Sequence, residues 1–197
     1  FRNAIAGRVV CEFGTGHGEF LRRARYIVAQ GAGVELNRDR VAQLRNEGFR
    51  VETSIDAFEA GSLDVVTLFH VLEHLGDPVE ALERVRTRLR PGGRLIVEVP
   101  HARDFLANTL AIEAFKNFTY WSEHLVLHTR ESLARTVGLA GYGEIVVKGF
   151  QRYGLENHLH WLARGRPGGH QHWSWMADRG LNERYAALLQ SIDQTDT

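Results

Sequence analysis

The feature that most constrains this chain is the succession of short apolar runs and amphipathic stretches over its first hundred residues. Arg8–Phe13 (RVVCEF) predicts a buried strand. Glu19–Ala29 carries Phe20, Leu21, Ala24, Ile27 and Val28 at helical spacing. Gly31–Glu35 predicts a second strand, and Asn37 an N-cap for a helix bearing Val41 and Leu44 that ends near Gly48. Phe49–Thr53 and Asp64–Phe69 predict strands three and four. The near-continuous apolar run of the fourth suits a strand covered on both faces. Asp77-Pro78 gives a cap and a proline at the first helical position, ahead of Val79, Leu82, Val85 and Leu89. Pro91-Gly92-Gly93 then predicts a turn, and Arg94–Val99 a fifth strand. Alternation of this kind demands a parallel α/β sheet with helices on both faces. Such sheets bind ligands outside the carboxyl ends of their strands, where the strand order reverses.

The first of those strand ends carries Glu12-Phe13-Gly14-Thr15-Gly16-His17-Gly18. Glycines there allow a tight turn and a close approach of backbone N–H groups to a ligand. A nicotinamide-type loop reads G-x-G-x-x-G, and its third glycine would fall at Glu19. The spacing here is G-x-G-x-G, with an acid two residues before the first glycine. Glu35 closes the second strand, where a carboxylate can accept hydrogen bonds from both hydroxyls of a ribose.

The second half is less regular. Asp104–Phe118 predicts an apolar helix that covers the site, and Thr129 caps a helix to Val137, stopped by Gly138. Glu144–Phe150 and His158–Ala163 predict the last two strands, and Leu181–Ile192 a terminal helix. Seven of ten histidines lie from His101 onward. Two readings of that bias stand: surface polarity, or an acceptor site built from the second half. In the tail, His158, His160, His170 and His172 stand beside Trp161, Trp173 and Trp175. Aromatic faces beside polar tips suit a carbohydrate ring or a subunit contact. On a strand, His158 and His160 would share a face.

Composition narrows the partners. Lys plus Arg and Asp plus Glu both number 24, so the net charge of zero offers phosphate no basic footprint. One cysteine, Cys11, excludes an internal disulfide and points to a reducing, cytoplasmic setting. No apolar run reaches the roughly 20 residues of a membrane span. The chain begins at Phe1 rather than Met, which predicts a lost or trimmed N-terminal piece. The 197 residues predict one domain, with a cofactor half over about 1–100 and acceptor or lid elements over about 101–130 and 150–180.

Taken in order, VVCEFGTGHGEF, GVELNRDRV, LDVVTLF, FHVLEHLGDPVEAL, LRPGGRLIVEVP and EHLVLHTRESL resemble a class I S-adenosylmethionine-dependent methyltransferase. More narrowly they are similar to ubiquinone-type O-methyltransferases and to methyltransferases of sugar and polysaccharide pathways. The resemblance covers roughly residues 7–150 and implies a Rossmann-like, doubly wound, seven-stranded sheet, mostly parallel with an antiparallel last strand. It implies S-adenosylmethionine as cofactor, with S-adenosylhomocysteine as product. Matched residue by residue, it assigns Glu12, Gly14, Thr15, Gly16 and Gly18 to the methionine part and ribose. Glu35 with Leu36 falls at the ribose, Ile55 and Asp56 beside adenine, and Phe69 and His70 along the methionine part. Glu73-His74 follows one helical turn later, either in the site or in helix-start hydrogen bonds.

The loop after strand four, Phe69-His70-Val71-Leu72, lacks the Asn/Asp-Pro-Pro-aromatic pattern of many base-amine methyltransferases. Cys11, inside a strand, is a poor nucleophile for base C5. Both argue against a nucleic-acid substrate. A hydroxyl acceptor benefits from a base; His101, His124 and His128 are the candidates, with His124 and His101 favoured. Without a clear carboxylate set, no metal site is assigned. The expected acceptor is a hydroxyl of a sugar or glycan precursor, such as a sugar nucleotide. O- or C-methylation of a quinone or phenol is the alternative. A nicotinamide oxidoreductase and a non-catalytic S-adenosylmethionine-binding scaffold are the rivals, and a homodimer is left open.

Overall fold

The structure, a computed structural model, describes residues 1–197. It divides into two compact units, Phe1–Glu98 with Thr136–Glu144, and Val99–Arg135 with Ile145–Thr197. The first therefore contains most of the expected cofactor half and adds a short return segment.

The first unit opens with helix α1 (Arg2–Ile5) and strand β1 (Val9–Phe13), followed by α2 (Glu19–Ala24), β2 (Gln30–Val34), α3 (Arg38–Asn46), β3 (Arg50–Glu52), β4 (Leu63–Phe69), α4 (Pro78–Arg88) and β5 (Leu89–Glu98). The five strands run parallel in the order β3-β2-β1-β4-β5. The chain steps outward from β1 through β2 to β3, then returns to place β4 on the other side of β1. The order reverses between β1 and β4, and sheets of this kind bind ligands at the carboxyl ends of the strands beside such a reversal.

Local chemistry sets these elements. Asn37 Oδ1 accepts the amides of Asp39 and Arg40 at 3.0 and 3.1 Å and starts α3. Asp77 Oδ1 accepts the Glu80 amide at 2.9 Å and starts α4 with Pro78 in its first turn. Leu21, Val41, Leu44, Phe49 and Val51 form one buried cluster; Ile5, Val10, Ala24 and Val65 form another. Cys11 is fully buried in β1. Burial pushes its thiol up to about 12, which leaves it without nucleophilic character near neutral pH. The return segment is pinned on α4: Tyr142 donates its hydroxyl to the Leu82 carbonyl at 3.0 Å, and Arg86 Nε donates to the Ala140 carbonyl at 2.9 Å.

The expected turn at Pro91-Gly92-Gly93 is part of β5. Leu63 faces Leu89 while Val65 faces Arg94, so the extra residues are absorbed as a bulge.

The second unit holds α5 (Phe105–Asn108), α6 (Glu113–Thr119), α7 (Arg130–Leu139, which continues into the first unit), α8 (Leu155–Arg164), α9 (Gly169–His172) and α10 (Arg179–Ser191). It contains no sheet. The seven-stranded sheet with an antiparallel last strand is therefore corrected to five parallel strands. Glu144–Phe150 forms no strand; Ile145 and Val146 are exposed, and Glu144 takes a left-handed φ of 49° that breaks extension. His158–Ala163 lies within α8, so His158 and His160 do not share a strand face. The single helix expected over Asp104–Phe118 is two short ones, α5 and α6, divided where Ala111 takes φ 49°. No helix of the chain is long and apolar enough to cross a membrane.

Candidate functional site

The glycine loop leaves β1 where Gly14 and Thr15 donate their amides to the Val34 carbonyl at 2.8 and 3.1 Å. That pairing folds the loop over the end of β2. Gly14, Gly16 and Gly18 all take left-handed φ, at 83°, 52° and 78°. The space around the three differs. A Cβ on Gly14 would sit 2.4 Å from Val71 Cγ2, and one on Gly18 2.3 Å from Leu44 Cδ2. A Cβ on Gly16 would meet nothing within 4 Å. The middle of the loop thus presents bare backbone to open space, as close ligand approach requires.

Glu35 ties this loop down. Its Oε2 accepts the Gly16 amide at 2.8 Å, and its Oε1 accepts the Asn37 amide at 2.8 Å. One carboxylate fixes both the glycine loop and the start of α3. Each oxygen has a second lone pair, so the group can still receive ligand hydroxyls. Beside it, the Leu36 side chain is 81% exposed.

Glu12 lies under the loop, 5% exposed, and its Oε2 has no hydrogen-bond partner; nor does the buried Thr15 Oγ1. Burial, and then the charge of Glu35, push the Glu12 carboxyl up to about 8.

Ile55 is buried in a single 3-10 turn capped by Ser54, whose Oγ accepts the Asp56 amide at 3.2 Å. The Asp56 carboxylate is held by Arg84 and, at 3.0 Å, by Arg88 on α4. The Arg84 hydrogen bond, then that of Arg88, hold it below the usual carboxylate range. The Asp56 carboxylate is thus engaged by two guanidinium groups.

Phe69 packs edge-on against Phe20 and Phe1, with ring centroids 5.3 and 5.8 Å apart. His70, one step beyond β4, takes φ 54°. Its Nδ1 lies 3.4 Å from Glu73 Oε1 and its Nε2 3.3 Å from Glu98 Oε1. Glu73 is fully buried in the 3-10 turn Leu72–His74. Glu98 was missed by sequence reasoning. The available signal was an acid at the last position of an apolar strand, in register with Phe69.

The three candidate bases lie in the second unit. His124 is half-buried; its Nδ1 lies 2.7 Å from the Thr119 carbonyl, and its ring meets Trp121 edge-on at 5.6 Å. A carbonyl can only accept, so Nδ1 carries the hydrogen and Nε2 the lone pair in the neutral ring. His101 and His128 are buried and joined by a parallel β-bridge. Burial lowers the His101 imidazole below its ordinary value, opposed by Asp193, whose Oδ1 lies 3.8 Å from Nε2. His128 Nδ1 lies 3.4 Å from Ser132 Oγ.

The tail histidines are likewise packed rather than aligned. His158 Nδ1 lies 2.7 Å from Tyr185 Oη and its Nε2 3.1 Å from Asp196 Oδ1. His160 Nδ1 donates to the Arg166 carbonyl at 2.8 Å and its ring stacks on His172.

Residues 2–145 match the family described as "Methyltransferase domain". A ubiquinone biosynthesis O-methyltransferase of Ralstonia nicotianae is 32% identical over 118 residues, 55% of this chain and 49% of that protein. One from Cupriavidus pinatubonensis is 33% identical over 103 residues, 47% of this chain and 41% of that protein. The chain thus spans about half the length of the curated relatives it matches. A crystal structure of a SAM-dependent methyltransferase from Archaeoglobus fulgidus superposes with a TM-score of 0.65 at 22% identity, covering 98% of this chain and 84% of that one. That likeness bears on the fold.

Proposed function

The chain belongs to the methyltransferase domain family, and on that premise we propose that it moves a methyl group from S-adenosylmethionine to a hydroxyl of a small acceptor. The observation that carries this reading is the glycine loop tied to Glu35 at the strand-order reversal, with Gly16 open to a ligand. The loop's residues fit the cofactor: bare backbone at Gly16, an orphaned buried carboxyl at Glu12, and a pre-oriented carboxylate at Glu35.

S-adenosylmethionine supplies an electrophilic methyl group on a sulfonium. The chain's part is to hold and align. Glu35 would receive the ribose hydroxyls, and Leu36 would cover an apolar ring face beside them. Ile55 and the Asp56 backbone would flank the adenine. Glu12, Thr15 and the loop glycines, with Phe69 and His70 across the crevice, would take the methionine part. His124 would accept the acceptor's proton at Nε2, the nitrogen its Thr119 hydrogen bond leaves basic. His101 and His128 are the other candidate bases; their burial ranks them after His124.

For the acceptor, the relatives named as ubiquinone biosynthesis O-methyltransferases favour a phenol- or quinone-type hydroxyl over the sugar hydroxyl expected from the sequence tail. Phenolic acids and sugar nucleotides incubated with the protein and S-adenosylmethionine, and weighed by mass spectrometry, separate the two. A gain of one methyl on the phenolic set supports the reading. A gain confined to sugars reverses it, and no gain on any acceptor returns the chain to a binding or scaffold role.

A further inference from the structure

Glu12 is the acid that the loop buries and leaves without a counter-charge. On β1 it stands in register with Gly33 of β2, which has no side chain, and Thr67 of β4, a buried hydroxyl that itself lacks a hydrogen-bond partner. Thr15, in the loop above, is the third orphaned oxygen. The charged group whose field reaches Glu12 is Glu35, another carboxylate. Two basic groups of the first unit face other partners: Arg22 pairs with Glu47 and the His17 carbonyl, and Arg50 Nε lies 3.8 Å from Glu52 Oε1. His17 lies in the loop itself, and the neighbouring Cys11 stays a neutral thiol.

A carboxylate removed from water beside a second negative charge is costly, and two events relieve it. One is protonation. The other is arrival of a cation. S-adenosylmethionine carries a sulfonium, an ammonium and a carboxylate on a neutral nucleoside, so its seating brings one net positive charge to a loop with no Lys or Arg of its own. We propose that Glu12 carries a proton in the ligand-free chain and releases it to solvent when a cationic ligand such as S-adenosylmethionine seats beneath the glycine loop. The step balances: the carboxyl O–H breaks, the proton goes to water or buffer, and the carboxylate faces the ligand's positive charge. Because a proton leaves on binding, affinity rises with pH, by up to about tenfold per unit below about pH 8, and levels off above it.

This inference rests on the cofactor site proposed above, and the test keeps the two apart. S-adenosylmethionine is titrated calorimetrically into the protein at pH 7.0 in phosphate and in Tris, which differ in ionisation enthalpy. Adenosine is the neutral control. The apparent binding enthalpy is expected to differ between buffers by the heat of releasing roughly half to one proton per ligand. It should not differ for adenosine, nor for Glu12→Gln, which mimics the protonated acid. His17→Gln should keep the release, assigning it to Glu12 rather than to the loop imidazole. Saturable binding of S-adenosylmethionine with no buffer dependence overturns the proton coupling and leaves the site standing. Equal release with adenosine also overturns it. No binding of S-adenosylmethionine at all overturns the site itself.

Discussion

The amide of Gly16 donates a 2.8 Å hydrogen bond to Glu35 Oε2, nineteen residues further along the chain. This bond ties the glycine loop after β1 to the end of β2, and the second oxygen anchors Asn37 at the start of α3. Hydrogen bonds to a charged acceptor contribute about 1.5–3 kcal/mol each. Glu35→Ala removes the loop anchor and the ribose acceptor together, and should weaken S-adenosylmethionine binding by about 30-fold or more. Glu35→Gln keeps one accepting oxygen and should fall between. Calorimetry on both variants checks this; unchanged affinity in Glu35→Ala removes Glu35 from the site.

Two alanine substitutions in the loop should behave differently. Gly16→Ala forces a left-handed φ at a cost of about 1–2 kcal/mol but meets no neighbour. It should fold, melt a few degrees lower, and lose cofactor affinity at least tenfold through the new methyl. Gly14→Ala adds a clash with Val71 to the same strain and should be destabilised further. Thermal melts and titrations separate the two. A Gly16→Ala protein that binds S-adenosylmethionine like its parent places the ligand elsewhere.

His124→Ala should reduce turnover by about 100-fold or more while moving cofactor affinity by less than threefold, as removal of a general base does. His101→Ala and His128→Ala remove buried rings and should lower the melting temperature first. Full turnover in His124→Ala, with a loss in His101→Ala at intact stability, reassigns the base.

In the second unit, burial and then the charge of Asp196 push the Asp104 carboxyl up to about 7. Its Oδ1 also accepts the Leu106 and Ala107 amides at 2.7 and 3.1 Å. A folded-state value raised above the unfolded one stabilises at low pH, and that contribution fades as pH climbs through about 4 to about 7. Asp104→Asn keeps the capping oxygen and carries no charge. It should flatten the drop in urea midpoint between pH 5 and pH 8. An identical pH profile in parent and variant means the buried proton is not on Asp104.

The sequence was most legible where polar residues acted through their immediate neighbours. Asn37, Asp77 and Gly48 punctuate α3 and α4 where their chemistry says, and the apolar runs of β1 and β4 are buried as expected. Phe69-His70 was placed correctly at the end of β4, but Glu98, which flanks the histidine, comes from a distant strand and is visible only once the register is known. The tail failed for a different reason. Helix α8 buries Glu156, Asn157, His158 and His160 beside Trp161. Its inner face is polar, satisfied by Asn182, the Gly168 and Gly169 amides, Tyr185 and the Arg166 carbonyl. Hydropathy periodicity looks for apolar inner faces, so HLHWLA read as a strand. Glu144–Phe150 carries strand-forming residues with no neighbouring strand to pair, and composition alone does not reveal that.

The central claim is that the loop held by Glu35 binds the methyl donor. Its most direct test is calorimetric titration of S-adenosylmethionine into the parent protein and Glu35→Ala under one condition. The parent should bind saturably at one to one, and the variant more weakly by about 30-fold or more. No binding by the parent, or equal binding by both, would contradict it.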